Sequence, residues 1–241
     1  MLSKERVAII TGGAGINGLG YATARMMAAH GATVVILDLA PANPAAAALG
    51  PQHLGLAMDV TNKAQCEAAA RATLERYGHI DVLFNNASIT QPRKTLDISA
   101  IDYDAVLDVS LRGTLLMSQA VLPAMQKQQH GSSISTSSVS AQRGGGILGG
   151  PHYSAAKAGV LGLTRAMARE FGPDGIRVNA ITPGLIATNI IKDKLTDDRK
   201  GEIAQDIPHL SAYCTGITLD VNGGMLIHQA LRCRRHRRQI P

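Results

Sequence analysis

The chain has 241 residues, 45% of them hydrophobic, which is enough for one ordinary domain with a sizeable core. Its net charge of +6 is unevenly placed: Arg232, Arg234, Arg235, Arg237 and Arg238 crowd the last ten residues, and without these five the remainder carries only +1, which speaks against a nucleic-acid-binding body. Cys66, Cys214 and Cys233 lack metal-type spacing, the N-terminus lacks a signal-peptide core, and no apolar run approaches the ~20 residues of a bilayer span, so no metal and no membrane segment are expected, and a cytoplasmic protein with reduced thiols is.

In chain order, Val7–Ile10 reads as a first strand and Gly18–His30 as a helix. Thr33–Leu37 follows as a second strand, Leu54–Met58 as a third, Asn62–Tyr77 as a helix and Ile80–Phe84 as a fourth strand. Ala100–Lys127 has the spacing of one or two helices. Ser133–Ser138 is a strand of small residues, Tyr153–Phe171 a helix, and Ile176–Ile181 and Ile217–Val221 are the last strands. Strand and helix alternate throughout, which predicts an α/β protein with a parallel sheet and right-handed crossovers. With 25 glycines and only five Tyr and two Phe, the core must come from Ala, Val, Ile and Leu, which suits a sheet covered on both faces. There is no repeat and no linker. Residues 1–227 are expected to form a single domain, and the basic stretch 228–241 a disordered tail.

The first β-α turn reads Thr11-Gly12-Gly13-Ala14-Gly15-Ile16-Asn17-Gly18-Leu19-Gly20. Glycines there permit a tight turn and bring backbone N–H groups to a phosphate at a helix N-terminus, although a loop that only needs positive φ would look the same. Asp38 ends the second strand, 18 residues after Gly20. A carboxylate in that place can hold both ribose hydroxyls of NAD and repel the 2′-phosphate of NADP. No Lys or Arg lies between Arg25 and Lys63 to welcome that phosphate. The ordinary alternative for Asp38 is a solvated strand-end carboxylate.

Tyr153 and Lys157 stand four residues apart at the start of a helix and share a face. Free tyrosine titrates near pH ~10, and a neighbouring cation favours the phenolate. By itself the spacing fits an exposed helix pair as well. The ordered set around it is more specific: Thr11-Gly12 with Gly18-Leu19-Gly20, Asp59-Val60, Asn85-Asn86-Ala87-Ser88, Ser137-Ser138-Val139, Tyr153 with Lys157, Pro183-Gly184 with Thr188, and Asp220-Val221-Asn222-Gly223-Gly224. With these pieces in this order, the chain resembles the short-chain dehydrogenase/reductase family over almost its whole length.

The resemblance implies a doubly wound parallel Rossmann sheet with the site at the strand carboxyl ends, and an NAD(H)-dependent oxidoreductase acting on a secondary alcohol or ketone. It implies that Gly12, Asn17, Gly18 and Leu19 cradle the cofactor, that Asp59 and Val60 contact the adenine, and that Asn86 and Ala87 line the adenosine ribose side. Tyr153 would be the general acid/base. Lys157 would lower its pKa and hold the nicotinamide ribose, and Ser138 would hydrogen-bond the substrate oxygen. Ile186 and Thr188 would bind the nicotinamide carboxamide beyond the Pro183-Gly184 turn, itself part of the cofactor site. Ser140 competes with Ser138, because alternate residues of an extended segment share a face.

Four departures from the family pattern carry expectations of their own. Two extra residues precede Gly18-Leu19-Gly20. Ser110 replaces the asparagine of an Asn-x-x-Gly helix motif, here Ser110-Leu111-Arg112-Gly113; the family's asparagine holds a relay water by its main chain, and a helix irregularity that its side chain stabilises would be lost. The stretch 132–138 is one residue short and unusually polar, which unsettles its register. Ile207-Pro208-His209-Leu210 runs straight into Ser211-Ala212-Tyr213-Cys214-Thr215-Gly216 where the family has a further helix, so either Asp193–Gln205 serves as the crossover or a segment is missing.

The expected partners are the small-molecule substrate and further copies of the chain, as a homodimer or homotetramer weakened by the short segment after Pro208. Three other readings stand beside this one: an NADP-dependent carbonyl or 3-oxoacyl reductase, a nucleotide-binding protein with little or no turnover, and a nucleic-acid role for the arginine tail. The loops Ser88–Ser99, Ala141–His152 and Ile186–Pro208 carry few chemical cues to a particular substrate.

Overall fold

Continuous apolar runs become strands buried on both faces. β1 (Val7–Thr11) is buried at every residue, and β2 (Thr33–Asp38) at its four central ones. The computed structural model describes residues 3–145, 148–184 and 186, and within them β1 and β2 join β3 (Leu54–Ala57), β4 (Val82–Asn85), β5 (Gly131–Thr136) and β6 (Ile176–Ile181) in one parallel sheet. The strand order is β3-β2-β1-β4-β5-β6. The chain therefore winds outward from β1 in one direction and from β4 in the other, the doubly wound arrangement that the family resemblance implies. The crevice between the carboxyl ends of β1 and β4 is the point where the winding reverses.

Successive side chains of a strand point to opposite faces, so Ile9, Val35, Leu37 and Leu83 enter one core while Ile10, Val34, Ile36 and Phe84 enter the other. The first core is closed by α3 (Lys63–Tyr77), α5 (Gly113–Gln128) and α7 (Pro151–Phe171), the second by α1 (Leu19–Ala29) and the short α2 (Asn43–Ala47). α2 escapes the sequence reading because five residues show no helical periodicity. By length and composition alone, Ala100–Gln128 is apolar enough to cross a bilayer, which corrects the expectation that no such stretch exists. Its apolarity has a packing cause: Met117, Val121, Leu122 and Met125 are buried in the first core.

That region is two helices joined by an irregular turn. α4 (Ala100–Leu107) starts at a reciprocal cap, where the Asp102 N–H donates to Ser99 Oγ at 3.1 Å and the Ser99 N–H donates back to the Asp102 carboxylate at 3.4 Å. A π-helical segment, Asp108–Arg112, then leads into α5. Elsewhere β5 begins two residues earlier than expected and ends at Thr136, which leaves Ser137 and Ser138 beyond the strand. The Ser137 N–H still donates to the Ile181 carbonyl at 2.8 Å, after which the chain turns into the short α6 (Ser140–Arg143).

At the opposite end of the sheet, the buried Asp81 carboxylate accepts the Val7 N–H at 2.8 Å and the Arg6 guanidinium at 2.7 Å. Truncation would leave a buried N–H without its acceptor. Asp81→Ala should lower the unfolding free energy by about 2–3 kcal/mol in urea titrations, and Asp81→Asn, which keeps an acceptor oxygen, by less.

Candidate active site

The cofactor end begins with Thr11, the buried last residue of β1. Its hydroxyl accepts the N–H groups of Asn86 (3.0 Å) and Ala87 (3.1 Å), just past β4. The Asn86 carboxamide donates back to the carbonyls of Thr11 (3.2 Å) and Gly12 (3.0 Å). Gly12 has φ +66°, and a Cβ there would lie 2.8 Å from Ala87 Cα, so both its conformation and its neighbour demand glycine. A Cβ on Gly20 would collide with the Gly12 carbonyl, which explains how closely α1 packs under the turn.

Asp38 does more than face solvent. Its Oδ2 accepts the Ala14 N–H at 2.8 Å and its Oδ1 the Ala40 N–H at 3.2 Å, so the carboxylate ties the glycine turn to the end of β2. Outside this frame the turn is open: nothing lies within 4 Å of a Cβ built on Gly15, and Ile16 and Asn17 are exposed. Gly18 caps α1 without a side chain, and no acidic residue sits in its first turn. An open, positively poled helix start beside an acceptor at the end of β2 fits the diphosphate and ribose of a dinucleotide. Asp59, beyond β3, accepts the Thr61 N–H and hydroxyl, both at 2.8 Å. Val60 is buried against Gly113, so its side chain belongs to the core.

The catalytic end is built on the first turns of α7. Pro151 starts the helix after Gly150, and Tyr153 and Lys157 follow one turn apart. The Tyr153 hydroxyl lies within reach of Ser138 and Ser88; burial pushes the phenol above its ordinary pKa, and the two serine hydroxyls pull it partly back. The Ser140 N–H donates to Ser138 Oγ at 3.1 Å, while Ser140 itself starts α6, so Ser138 is the serine held against Tyr153.

Lys157 is 2% exposed, and its Nζ donates to the Thr136 carbonyl at 2.7 Å and lies 5.8 Å from the Tyr153 ring centre. Burial pushes its ammonium down to about 7. The expectation that Lys157 draws Tyr153 downward therefore meets a different balance: desolvation governs both groups, and the lysine charge is itself marginal near neutrality.

The helix irregularity expected to be lost with the family asparagine is kept. The π segment places Ser110 fully buried, its hydroxyl 3.2 Å from Ser88 Oγ and 3.3 Å from the Ile89 carbonyl, and its own carbonyl accepts the Thr114 hydroxyl at 3.1 Å. The Pro183 carbonyl accepts the Val139 N–H at 3.0 Å, which brings the Pro183-Gly184 turn beside Ser138; Ile186 is partly exposed. Thr188, Asp193–Gln205, the Pro208–Ser211 junction, Ile217–Val221, Cys214, Cys233 and the arginine tail lie outside the described residues. Sequence reasoning missed Ser88, the hydroxyl role of Thr11, the Thr136 carbonyl, and His152, which is buried beside Tyr153 with Nε2 3.2 Å from Gln91 Oε1. Ser88 and Thr11 stand within the quoted motifs, and only their side-chain directions were invisible.

Comparison with known proteins agrees with this geometry. Residues 6–199 match the family model described as short chain dehydrogenase. The chain is 50% identical to an uncharacterized short-chain type dehydrogenase/reductase from Sinorhizobium fredii, over 95% of this chain and all of that protein. It is 35% identical to a 3-oxoacyl-[acyl-carrier-protein] reductase from Thermotoga maritima, over 94% and 100%, and 42% identical to levodione reductase of Leifsonia aquatica, over 79% and 73%. A crystal structure from Burkholderia xenovorans, described as a short-chain dehydrogenase/reductase, superposes with TM-score 0.76 at 29% identity, covering 83% of this chain and 81% of that one. The Sinorhizobium alignment runs over 254 positions, to which 95% of 241 residues supplies about 229, so that relative carries about 25 residues absent here.

The buried lysine makes a stability prediction. Its folded pKa near 7 lies below the ordinary 10.5, so the folded protein binds fewer protons than the unfolded chain between those values. The cost of burying the ammonium is then full below about pH 7 and is relieved as pH rises towards 10.5. Thermal unfolding of Lys157→Met and the parent should diverge in the variant's favour as the pH falls through this range. A difference constant with pH would contradict the assignment.

Proposed function

This chain belongs to the short-chain dehydrogenase/reductase family of nicotinamide-dependent oxidoreductases, and from that premise we propose that it moves a hydride between NAD(H) and a secondary alcohol or ketone, with Tyr153 as general acid/base. The observation that carries this reading is the Tyr153–Ser138–Lys157 grouping at the carboxyl ends of the strands, beside the open glycine turn.

The nicotinamide, when bound, accepts or donates the hydride. The chain's residues supply the remainder. Ser138 would hydrogen-bond the substrate oxygen next to Tyr153 and steady charge developing there. In oxidation Tyr153 takes the alcohol proton as the carbon gives up its hydride; in reduction it returns that proton to the carbonyl oxygen. Lys157, anchored on the Thr136 carbonyl, would hold the nicotinamide ribose and supply positive charge behind the phenol. Gly12, Asn17, Gly18 and Leu19 would meet the diphosphate, Asp59 and the Val60 backbone the adenine, Asn86 and Ala87 the adenosine ribose side. Pro183, Gly184, Ile186 and Thr188 would meet the nicotinamide.

Asp38 supports NAD over NADP. Its carboxylate is fixed by two N–H groups at the end of β2, where a 2′-phosphate would meet like charge. The NADP-dependent 3-oxoacyl reductase reading draws on the Thermotoga protein's name. The retained π turn favours an enzyme over a nucleotide-binding protein without turnover. Self-association belongs to the same proposal, supported by the exposed Leu96 and Ile101.

A screen of alcohols and ketones followed by NADH absorbance tests the reading directly. Tyr153→Phe should lower turnover at least about a hundredfold while NADH still binds, as seen in its fluorescence. Asp38→Ala should shift the ratio of NAD to NADP activity towards NADP; a parent protein that strongly prefers NADP would overturn the assignment to Asp38.

A further inference from the structure

The helix turn that departs from the family pattern opens onto a row of hydroxyls. Ser110 Oγ is 3.2 Å from Ser88 Oγ and 3.3 Å from the Ile89 carbonyl, and Ser88 in turn lies within reach of the Tyr153 hydroxyl, whose ionisation it favours. The row is therefore Tyr153, Ser88, Ser110, Ile89 carbonyl. The π segment holds Ser110 with no exposed surface, and the Thr114 hydroxyl occupies its carbonyl, which fixes the turn from behind. The loop after β4 carries Ser88 and is fixed in turn, since Asn86 and Ala87 are bonded to Thr11.

We propose that Ser88 and Ser110 act together as positioning residues for Tyr153, a pair of hydroxyls that re-points whenever Tyr153 gains or loses its proton. A serine hydroxyl donates one hydrogen bond and accepts others, and its proton rotates freely. With Tyr153 protonated, the phenol donates to Ser88, Ser88 to Ser110, and Ser110 to the Ile89 carbonyl. With Tyr153 ionised, Ser88 turns to donate to the phenolate and Ser110 turns to donate to Ser88. No covalent bond changes in this reversal. Only the Ile89 carbonyl loses its donor, and Ile89 sits on a partly exposed loop where water can replace it. Ser138 supplies the second hydrogen bond to Tyr153. The phenolate thus gains a charge-assisted donor that is itself backed by another.

The inference rests on Tyr153 being the proton-transfer residue, but its test needs no substrate. Ionisation of Tyr153 in the full chain can be followed by ultraviolet absorbance, with Tyr153→Phe subtracting the other tyrosines and circular dichroism confirming the fold at each pH. Ser88→Ala should move the Tyr153 midpoint upward, because the phenolate loses a donor. Ser110→Ala should move it upward by less, and Ser88→Ala/Ser110→Ala should coincide with Ser88→Ala alone. Ser88→Thr, which restores a hydroxyl, should return the midpoint towards the parent value. If Ser110→Ala does not fold, Ser110→Cys, with its weaker donor, takes its place and should also raise the midpoint. A Ser88→Ala midpoint equal to the parent's would overturn the proposal, as would an effect at Ser110 that is undiminished without Ser88. Failure of Tyr153→Phe to reduce turnover would instead remove the general acid/base reading and leave this hydrogen-bond row standing.

Discussion

Where β1 and β4 part company, the Thr11 hydroxyl and the Asn86 carboxamide span the gap with four hydrogen bonds between them. A doubly wound sheet needs such a clasp, because the two chain segments leave this point in opposite directions and neither covers the other. With the clasp in place, Gly12 lies against Ala87 and the glycine turn is held over the start of α1. The loop carrying Ser88 is held beneath Tyr153 by the same contacts. One polar knot thereby sets the distance between the cofactor side and the proton-transfer side of the crevice.

The second constraint is the burial of Lys157. Lys157 is 2% exposed, and among the described residues its ammonium has one hydrogen bond, to the Thr136 carbonyl of a strand that is itself polar where a central strand is usually apolar. Ser133 Oγ and Thr136 Oγ1 are buried without partners among the described residues. Asn85 shares its carboxamide between Ser118 at 3.2 Å and, more weakly, Ser135 at 3.5 Å. This side of the sheet is not optimised for stability. The strand that carries these polar groups also anchors one lysine whose charge is balanced near neutrality, a state that suits a proton-handling site better than a structural core.

Much of the architecture was legible because its signals are local. Val7, Ala8, Ile9 and Ile10 announce a strand buried on both faces, and the glycines of residues 12–20 announce a turn and a helix start. Alternation and handedness pointed to a parallel sheet, and the family resemblance to its doubly wound topology. What escaped depends on side-chain direction or on a balance of energies. Nothing in Ser110 as a letter shows that the π turn survives without asparagine, since the turn is set by packing and by Thr114 one turn on. The end of β5 was misjudged because serine and threonine look alike on either side of Thr136. Tyr153 was expected to be lowered by its lysine, and the depth of burial that outweighs that attraction is a tertiary quantity.

Asp38 has a consequence for the time course of ligand capture. Its carboxylate holds the Ala14 N–H at 2.8 Å, so the glycine turn is fixed by the chain's own groups. A preorganised loop loses little conformational freedom on binding, and the encounter need not wait for a slow ordering step. Association at this end of the crevice should then proceed at an ordinary diffusional docking rate, and differences in affinity between related nucleotides should reside in how long each stays.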